Sequence, residues 1–263
     1  MKVSIVMPSL DQGGFIGPAI ASALAQQGGE LELIIQDGGS TDETAEVVRS
    51  FSDERIAFHT QPDRGQSHAL NMAIERATGD WIAWLNADDL LAEGALARVA
   101  PLLAGDHEVV FGDFGYIDER GAVTRRIASG PQLDRRRLLA QGNYLFSGTV
   151  FLQPSVFAAH GGFDEELHFA MDYDYWLRIA GGVRAVHCPA ELAYFRLHGA
   201  GNTTARSGKV IRETIRVRRA HGAFSGSTLA PALYHQGKQI ADVLSRPVRR
   251  RLSRPAMPRL TGR

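Results

Sequence analysis

Trp81-Ile82-Ala83-Trp84-Leu85-Asn86-Ala87-Asp88-Asp89 is the stretch on which the reading of the fold turns. Five apolar residues run directly into a polar, doubly acidic turn. Residues 81–85 therefore read as a buried strand whose carboxyl end meets solvent. The same arrangement stands earlier in the chain, where residues 31–36 lead into Asp37-Gly38-Gly39-Ser40-Thr41-Asp42. Residues 3–7, stopped by Pro8, and 55–59 complete four short strands. Between them lie helical stretches at 18–27, 45–51 and 66–77, the last with Ala69, Leu70, Ala73, Ile74 and Ala77 at helical spacing. A further helix is predicted over 92–103. Alternation of this kind implies an α/β fold, a mostly parallel sheet with helices on both faces. Ligands of such sheets bind beyond the carboxyl ends of the strands, where both acidic turns fall.

The pattern changes after residue 108. Strands are expected at 109–114, 123–127, 149–153, 183–188 and 193–196, with helices at 133–140, from Pro154 to Gly161, and at 171–180. This half reads as a mixed extension of the first sheet. A third acidic motif, Asp172-Tyr173-Asp174-Tyr175-Trp176, opens the helix at 171–180. A basic helix over 209–220 and a tail carrying Pro247, Pro255 and Pro258 close the chain, and those prolines argue against a long terminal helix.

Bulk composition excludes little. The 263 residues are 44% hydrophobic and 22% charged with zero net charge, ordinary for a soluble globular chain. The charges are unevenly spread. Residues 1–208 hold 16 Lys/Arg against 27 Asp/Glu, and residues 209–263 hold 13 against 2. A single cysteine, Cys188, excludes an intrachain disulfide and fits a reducing compartment. The first apolar run is too short for a signal peptide, and no stretch reaches the ~20 apolar residues of a spanning helix. A cytoplasmic protein is expected, with the basic tail free to meet an anionic membrane surface. Nucleic acid is a poor fit, because no aromatic residues accompany the arginines.

Each acidic group carries two readings. Asp88 suits a divalent ion that bridges the phosphates of a nucleotide, which takes hard oxygen ligands; Asp88 or Asp89 could equally cap the helix at 92–103. Asp37 could accept hydrogen bonds from a base or ribose, with Gly38-Gly39 allowing close approach, or form a local turn. Asp42 reads as a helix cap. Asp172 could take a proton from an attacking hydroxyl or simply favour a helix N-terminus. Asp174 reads as structural, as do His187, Asn71 and the three tryptophans, with Trp176 the one tryptophan that could face a sugar.

Taken in order, Val3-Ser4-Ile5-Val6-Met7-Pro8-Ser9, Gln36 through Asp42, Ala77 through Asp89, Gly161-Gly162-Phe163-Asp164-Glu165 and Asp172 through Arg178 resemble the family 2 glycosyltransferases over roughly residues 1–205. The resemblance implies a GT-A fold with residues 1–105 as the nucleotide-sugar half and 106–205 as the acceptor and catalytic half. Residues 206–263 then form a basic, helical, partly flexible extension. It implies a nucleotide-diphospho-sugar donor, UDP-sugar favoured, a divalent metal (Mn2+ or Mg2+), and inversion at the anomeric carbon. Pro8, Ser9 and Asp37 would hold the nucleoside, and Asn86, Ala87 and Asp88 the ribose and metal-bound diphosphate. Arg64 and Gln66 match another donor-contacting loop. Asp172 would be the base, and His198, on a glycine-rich loop, would meet the diphosphate or metal. Asn86 departs from the family's usual Asp, which leaves Asp88 as the main carboxylate ligand. Met171 stands where the family often has Glu. No Gln-x-x-Arg-Trp motif of the processive synthases is present, so transfer of one sugar to a glycan or lipid-linked acceptor is expected. A sugar nucleotidyltransferase, lacking here its basic phosphate loop, and an inactive donor-binding protein are the alternatives.

Overall fold

The computed structural model describes residues 1–198, 207–224 and 229–235. The glycine-rich segment after His198 and the tail prolines lie outside these residues. The first half alternates as expected: β1 (Lys2–Ser9), α1 (Gly13–Leu24), β2 (Glu30–Asp37), α2 (Thr44–Ser50), β3 (Ile56–Thr60), α3 (Gln66–Arg76) and β4 (Trp81–Trp84). Then follow β5 (Leu90–Leu91), α4 (Ala95–Leu103), β6 (Val109–Ile117), β7 (Val123–Ile127) and α5 (Arg135–Gln141). The remainder is β8 (Val150–Leu152), α6 (Pro154–His160), α7 (Met171–Ile179), β9 (Ala185–Arg196) and α8 (Ser207–Ala220). No helix among the described residues is long and apolar enough to cross a membrane.

One sheet joins all nine described strands in the order β3-β2-β1-β4-β8-β6-β9-β5, with β7 paired to β6. β1 to β4 are mutually parallel, while β8 is antiparallel to both β4 and β6. Chain direction across the sheet reverses between β1 and β4, so their carboxyl ends flank a crevice. Alternate residues of β1 serve two cores. Val3, Ile5 and Met7 pack with Ile16, Ile20, Leu96 and Val99, and Val6 packs on the other face with Leu70, Ile82, Tyr173 and Trp176. Burial on both faces explains why these strands are nearly continuous apolar runs.

Four local expectations change. Helix α1 begins at Gly13, ahead of Pro18, because Asp42 accepts from the Gly13 amide at 2.9 Å and Thr44 Oγ1 from the Gln12 amide at 2.8 Å. Groups distant in sequence thus satisfy the open helix end. Helix α4 starts at Ala95 behind a left-handed Gly94 with no side-chain cap, so neither Asp88 nor Asp89 caps it. The short β5 was not anticipated. Finally, the two strands expected at 183–188 and 193–196 are one strand, β9, bent by a bulge. Gly112 pairs with Cys188 but Asp113 with Glu191, which leaves Pro189 in the bulge, where its missing N–H costs no ladder bond.

Helix α8 is part of the packed body. Its Val217 and Arg218 are buried, and Arg218 donates to the carbonyls of Leu139 and Ala140 at 2.8 and 3.2 Å. On the same helix Glu213 accepts from three successive amides, His168 at 3.0 Å, Phe169 at 2.5 Å and Ala170 at 2.7 Å. These are the residues that lead into α7. Glu213→Ala leaves all three donors without that acceptor, and a loss of about 2 kcal/mol is expected in urea denaturation. An unchanged midpoint would mean that water replaces the carboxylate at no cost.

Candidate active site at the strand ends

Loops at the carboxyl ends of β1, β2 and β4 are laced together by polar side chains. Register pairing sets Pro8 beside Gln36 and Ser9 beside Asp37. Asp37 is completely buried, and its carboxylate accepts from the Gly39 amide at 3.1 Å, the Ser40 amide at 2.9 Å and the Ser40 hydroxyl. Both oxygens therefore serve the turn, which is the local of the two readings of this residue. The Ser9 hydroxyl and both ends of the Gln36 side-chain amide are buried without a partner among the described residues. Unsatisfied groups of this kind call for a ligand or water.

At the end of β4, Asn86 is the hub. Its Oδ1 accepts from Gln66 Nε2 at 2.8 Å and Trp84 Nε1 at 2.7 Å, and its Nδ2 donates to Asp89 Oδ2 at 2.7 Å. Asn86 and Gln66 are thereby spent on holding the turn together. Asp89 is 1% exposed and also accepts from the Arg196 amide at 2.8 Å. Burial, and then the neighbouring Asp88 carboxylate, push its carboxyl well above the usual range. Arg196 donates from Nε to the Asp88 carbonyl at 2.8 Å and reaches the carbonyls of Asp118 and Glu119. The end of β9 is in this way sewn to the end of β4 across more than 100 residues.

That seam brings His198 to Asp88. His198 Nε2 lies 2.9 Å from Asp88 Oδ2, and the imidazole packs against Phe15 with ring centroids 4.4 Å apart. Asp88 keeps a quarter of its side chain exposed, whereas His198 is nearly enclosed and its Nδ1 has no partner among the described residues. A carboxylate and an imidazole at one point fit a divalent cation whose other ligands are phosphate oxygens and water. No group of three or more His, Cys, Asp or Glu side chains suited to a metal occurs among the described residues, so the protein would supply a minority of the ligands.

Asp172 sits in the first turn of α7, partly open at its surface. Its carboxylate accepts from Asn143 Nδ2 at 2.8 Å and from the Tyr173 amide at 2.6 Å. Burial raises it to about 6, and the hydrogen bonds from Tyr173 and Asn143 act in the opposite sense. Asp174, two residues on, is occupied by Arg178 at 2.8 Å and His221 at 2.7 Å. Trp176 is buried at 1% exposure and so faces the core. Asp172 is joined to the donor side through the loop before α7. There Arg64 pairs with Glu165, Ser67 Oγ donates to the Leu167 carbonyl at 2.6 Å, and Asn71 bonds both backbone groups of Phe163. Sequence reasoning missed Asn143, which lies in an unremarkable Gly142-Asn143 loop, and the anchoring role of Arg196. No local pattern marks either, since each is defined by a partner far along the chain.

Residues 4–159 match the model of Glycosyl transferase family 2. A PGL/p-HBAD biosynthesis glycosyltransferase of Mycobacterium bovis is 33% identical over 182 residues, which cover 66% of this chain and 68% of the relative. An uncharacterized glycosyltransferase of Haemophilus influenzae is 30% identical over 155 residues, 57% of this chain and 62% of that protein. Among solved structures, S. aureus TarS 1-349 in complex with UDP-GlcNAc superposes with a TM-score of 0.69 at 17% identity, covering 93% of this chain and 72% of that one. The mannosyltransferase PcManGT of Pyrobaculum calidifontis, in complex with GDP-Man and Mn2+, gives 0.63 at 20% identity over 92% of this chain and 74% of that one. The structural matches support the GT-A fold. With acidic turns at the ends of the two strands that flank β1 and a family match over more than half its length, the chain belongs to glycosyl transferase family 2.

Proposed function

We propose that the protein transfers a single sugar, with inversion, from a nucleotide-diphospho-sugar to a hydroxyl of a glycan or lipid-linked acceptor. UDP-sugar is the favoured donor. The carboxyl of Asp172, raised to about 6 and steered by Asn143, is the observation that carries this reading. In the proposed step Asp172 accepts the proton of the acceptor hydroxyl as its oxygen attacks the anomeric carbon. The carbon–oxygen bond to the diphosphate breaks on the opposite face, and its electron pair leaves with the nucleoside diphosphate. A base with this affinity for a proton is ionised at neutral pH yet still worth about 10²–10⁴-fold in rate.

Asp88 and His198 are the proposed holders of a divalent cation, which when bound would stabilise charge on the departing diphosphate. Binding of Mn2+ and GDP-Man by PcManGT, and of UDP-GlcNAc by TarS, supports a donor and metal of these classes. Asn86 and Gln66 act as positioning residues for the Asp88 turn, and Pro8 and Ser9 border the nucleoside. Arg64 belongs to the same donor-side loop. In this reading the protein works in the cytoplasm, at the inner face of the membrane when the acceptor is lipid-linked. Lys209, Arg212, Arg216 and Arg219 form an exposed cationic stripe on α8 that favours this, at ~1 kcal/mol per cation near anionic lipid.

The pH profile is the sharpest test. An ionised base is required, so kcat/KM falls as pH drops through about 6. Asn143→Ala removes a bond that favours the ionised form, so the acidic limb should move to higher pH. A profile flat between pH 5 and 8 would overturn the assignment of Asp172.

Stability adds a second readout. The folded carboxyl is raised to about 6 while the unfolded one titrates near its ordinary ~3.9. The associated stabilisation is present below the lower value and lost as pH rises through the upper one. Asp172→Asn should therefore abolish most transfer while raising Tm at pH 8. Lower activity with lower Tm would instead mark a structural residue.

For the donor site, calorimetric titration of UDP with and without Mn2+ is expected to give metal-dependent binding. Asp88→Ala should weaken it at least tenfold. Metal-independent binding, unaffected by the variant, would contradict the cation assignment.

A further inference from the structure

Four carboxylates border the ends of β1, β2 and β3, and their oxygens are not equally engaged. Asp37 gives both to its own turn, and Asp42 gives both to Gly13 and Thr44. Asp11 engages only Oδ1, with the Thr41 amide and hydroxyl, but it lies in an exposed turn. Asp63, in the loop after β3, engages only Oδ1, which accepts from the Gly65 amide at 2.8 Å; its Oδ2 has no hydrogen-bond donor among the described residues.

That free oxygen is held against the end of β2. A Cβ built on Gly38 would stand 2.5 Å from Asp63 Oδ2 and 3.0 Å from its Cγ. Gly38 lies outside the left-handed region, so its backbone does not demand glycine. What the glycine provides is room for the Asp63 carboxylate. Between this point and Asp88 lie the ends of β2, β1 and β4, strands adjacent in the sheet. From β3 to β4 is three inter-strand steps, ~14 Å, comparable to an extended nucleoside diphosphate. At the ends of β1 and β2, the Ser9 hydroxyl and the Gln36 side-chain amide are buried and have no partner among the described residues.

We infer that Asp63 reads the nucleobase of the donor and selects a pyrimidine-2,4-dione, uracil or thymine. The inference rests on the nucleotide-donor reading above and deepens it. One free carboxylate oxygen matches one ring N–H. Uracil and thymine present a single N3–H there, whereas guanine presents two donors. At the corresponding ring nitrogen cytosine and adenine present a lone pair, which a carboxylate repels, and only their exocyclic amino groups, beside that position, could donate to it. Asp37, the sequence's candidate for base contact, is completely buried and directs both oxygens to its own turn, whereas Asp63 Oδ2 is unengaged among the described residues.

The test is calorimetric binding of UDP, dTDP, GDP and CDP to the full chain and to Asp63→Ala, Asp63→Asn and the double variant Gly38→Asp/Asp63→Gly, with melting curves to establish folding. UDP and dTDP should bind tightest to the parent chain. Asp63→Ala should weaken UDP about 10- to 100-fold, the usual size of a lost charge-assisted bond. Asp63→Asn keeps the acceptor for Gly65 but offers an N–H to cytosine, so the UDP/CDP ratio should fall. The double variant returns a carboxylate to the vacated space and should regain part of the preference for UDP. UDP binding to folded Asp63 variants with the parent's affinity and UDP/CDP ratio would overturn the inference and leave the donor reading intact. Tighter GDP than UDP binding would overturn the base class. Absence of binding by every diphosphate would instead sink the donor reading, and this inference with it.

Discussion

The buried carboxylate of Asp89 is the contact on which the geometry of the donor end depends. It joins the turn after β4, through Asn86, to the last residue of β9, through the Arg196 amide. Burying a carboxylate is costly unless its oxygens are paired, and here both are. The Arg196 side chain completes the seam by holding the Asp88, Asp118 and Glu119 carbonyls. Only with this seam in place does His198, two residues beyond Arg196, reach Asp88. The β9 bulge serves the same end, because it re-aims the strand so that Ala193 and Tyr194 pair with β5 directly after the Asp89 turn.

What was legible in the sequence follows the range of the interactions involved. Strand and helix alternation, the two acidic turns and the acidic start of α7 are local patterns, and they are found within a few residues of their expected bounds. The α/β class and the GT-A fold could be read because buried parallel strands announce themselves as apolar runs. Hidden features all involve partners far apart. Asn143 meets Asp172 across 29 residues, Glu213 meets Phe169 across 44, and Asp89 meets Arg196 across 107. Periodicity carries no trace of such pairs. Asp37 stands at a strand end as read, and its hydrogen bonds to the Gly39 and Ser40 amides and the Ser40 hydroxyl are local ones.

In the proposed reaction Asp88 and Asp172 take two different roles, and their environments differ accordingly. Asp88 is partly solvated and sits beside the His198 imidazole, a setting that suits a cation site. Asp172, though partly open at its surface, has its carboxyl raised to about 6 by desolvation. Several groups oppose one another at the start of α7. Burial favours the neutral acid, and Glu213, held close by the amides of 168–170, adds like-charge repulsion in the same direction. Tyr173 and Asn143 favour the anion, as does the open N-terminus of the helix. Asp174 stands in the same turn, but Arg178 and His221 occupy it, so its charge does not compete for the position. In the proposed reaction the balance near 6 is the useful one. A much lower value would leave Asp172 with little affinity for the acceptor's proton, and a much higher one would fill it before the acceptor arrived. Helix α8 sets part of that balance through Glu213 and anchors the loop that carries it. Helix α8 is therefore energetically coupled to the start of α7, although the family match ends at residue 159.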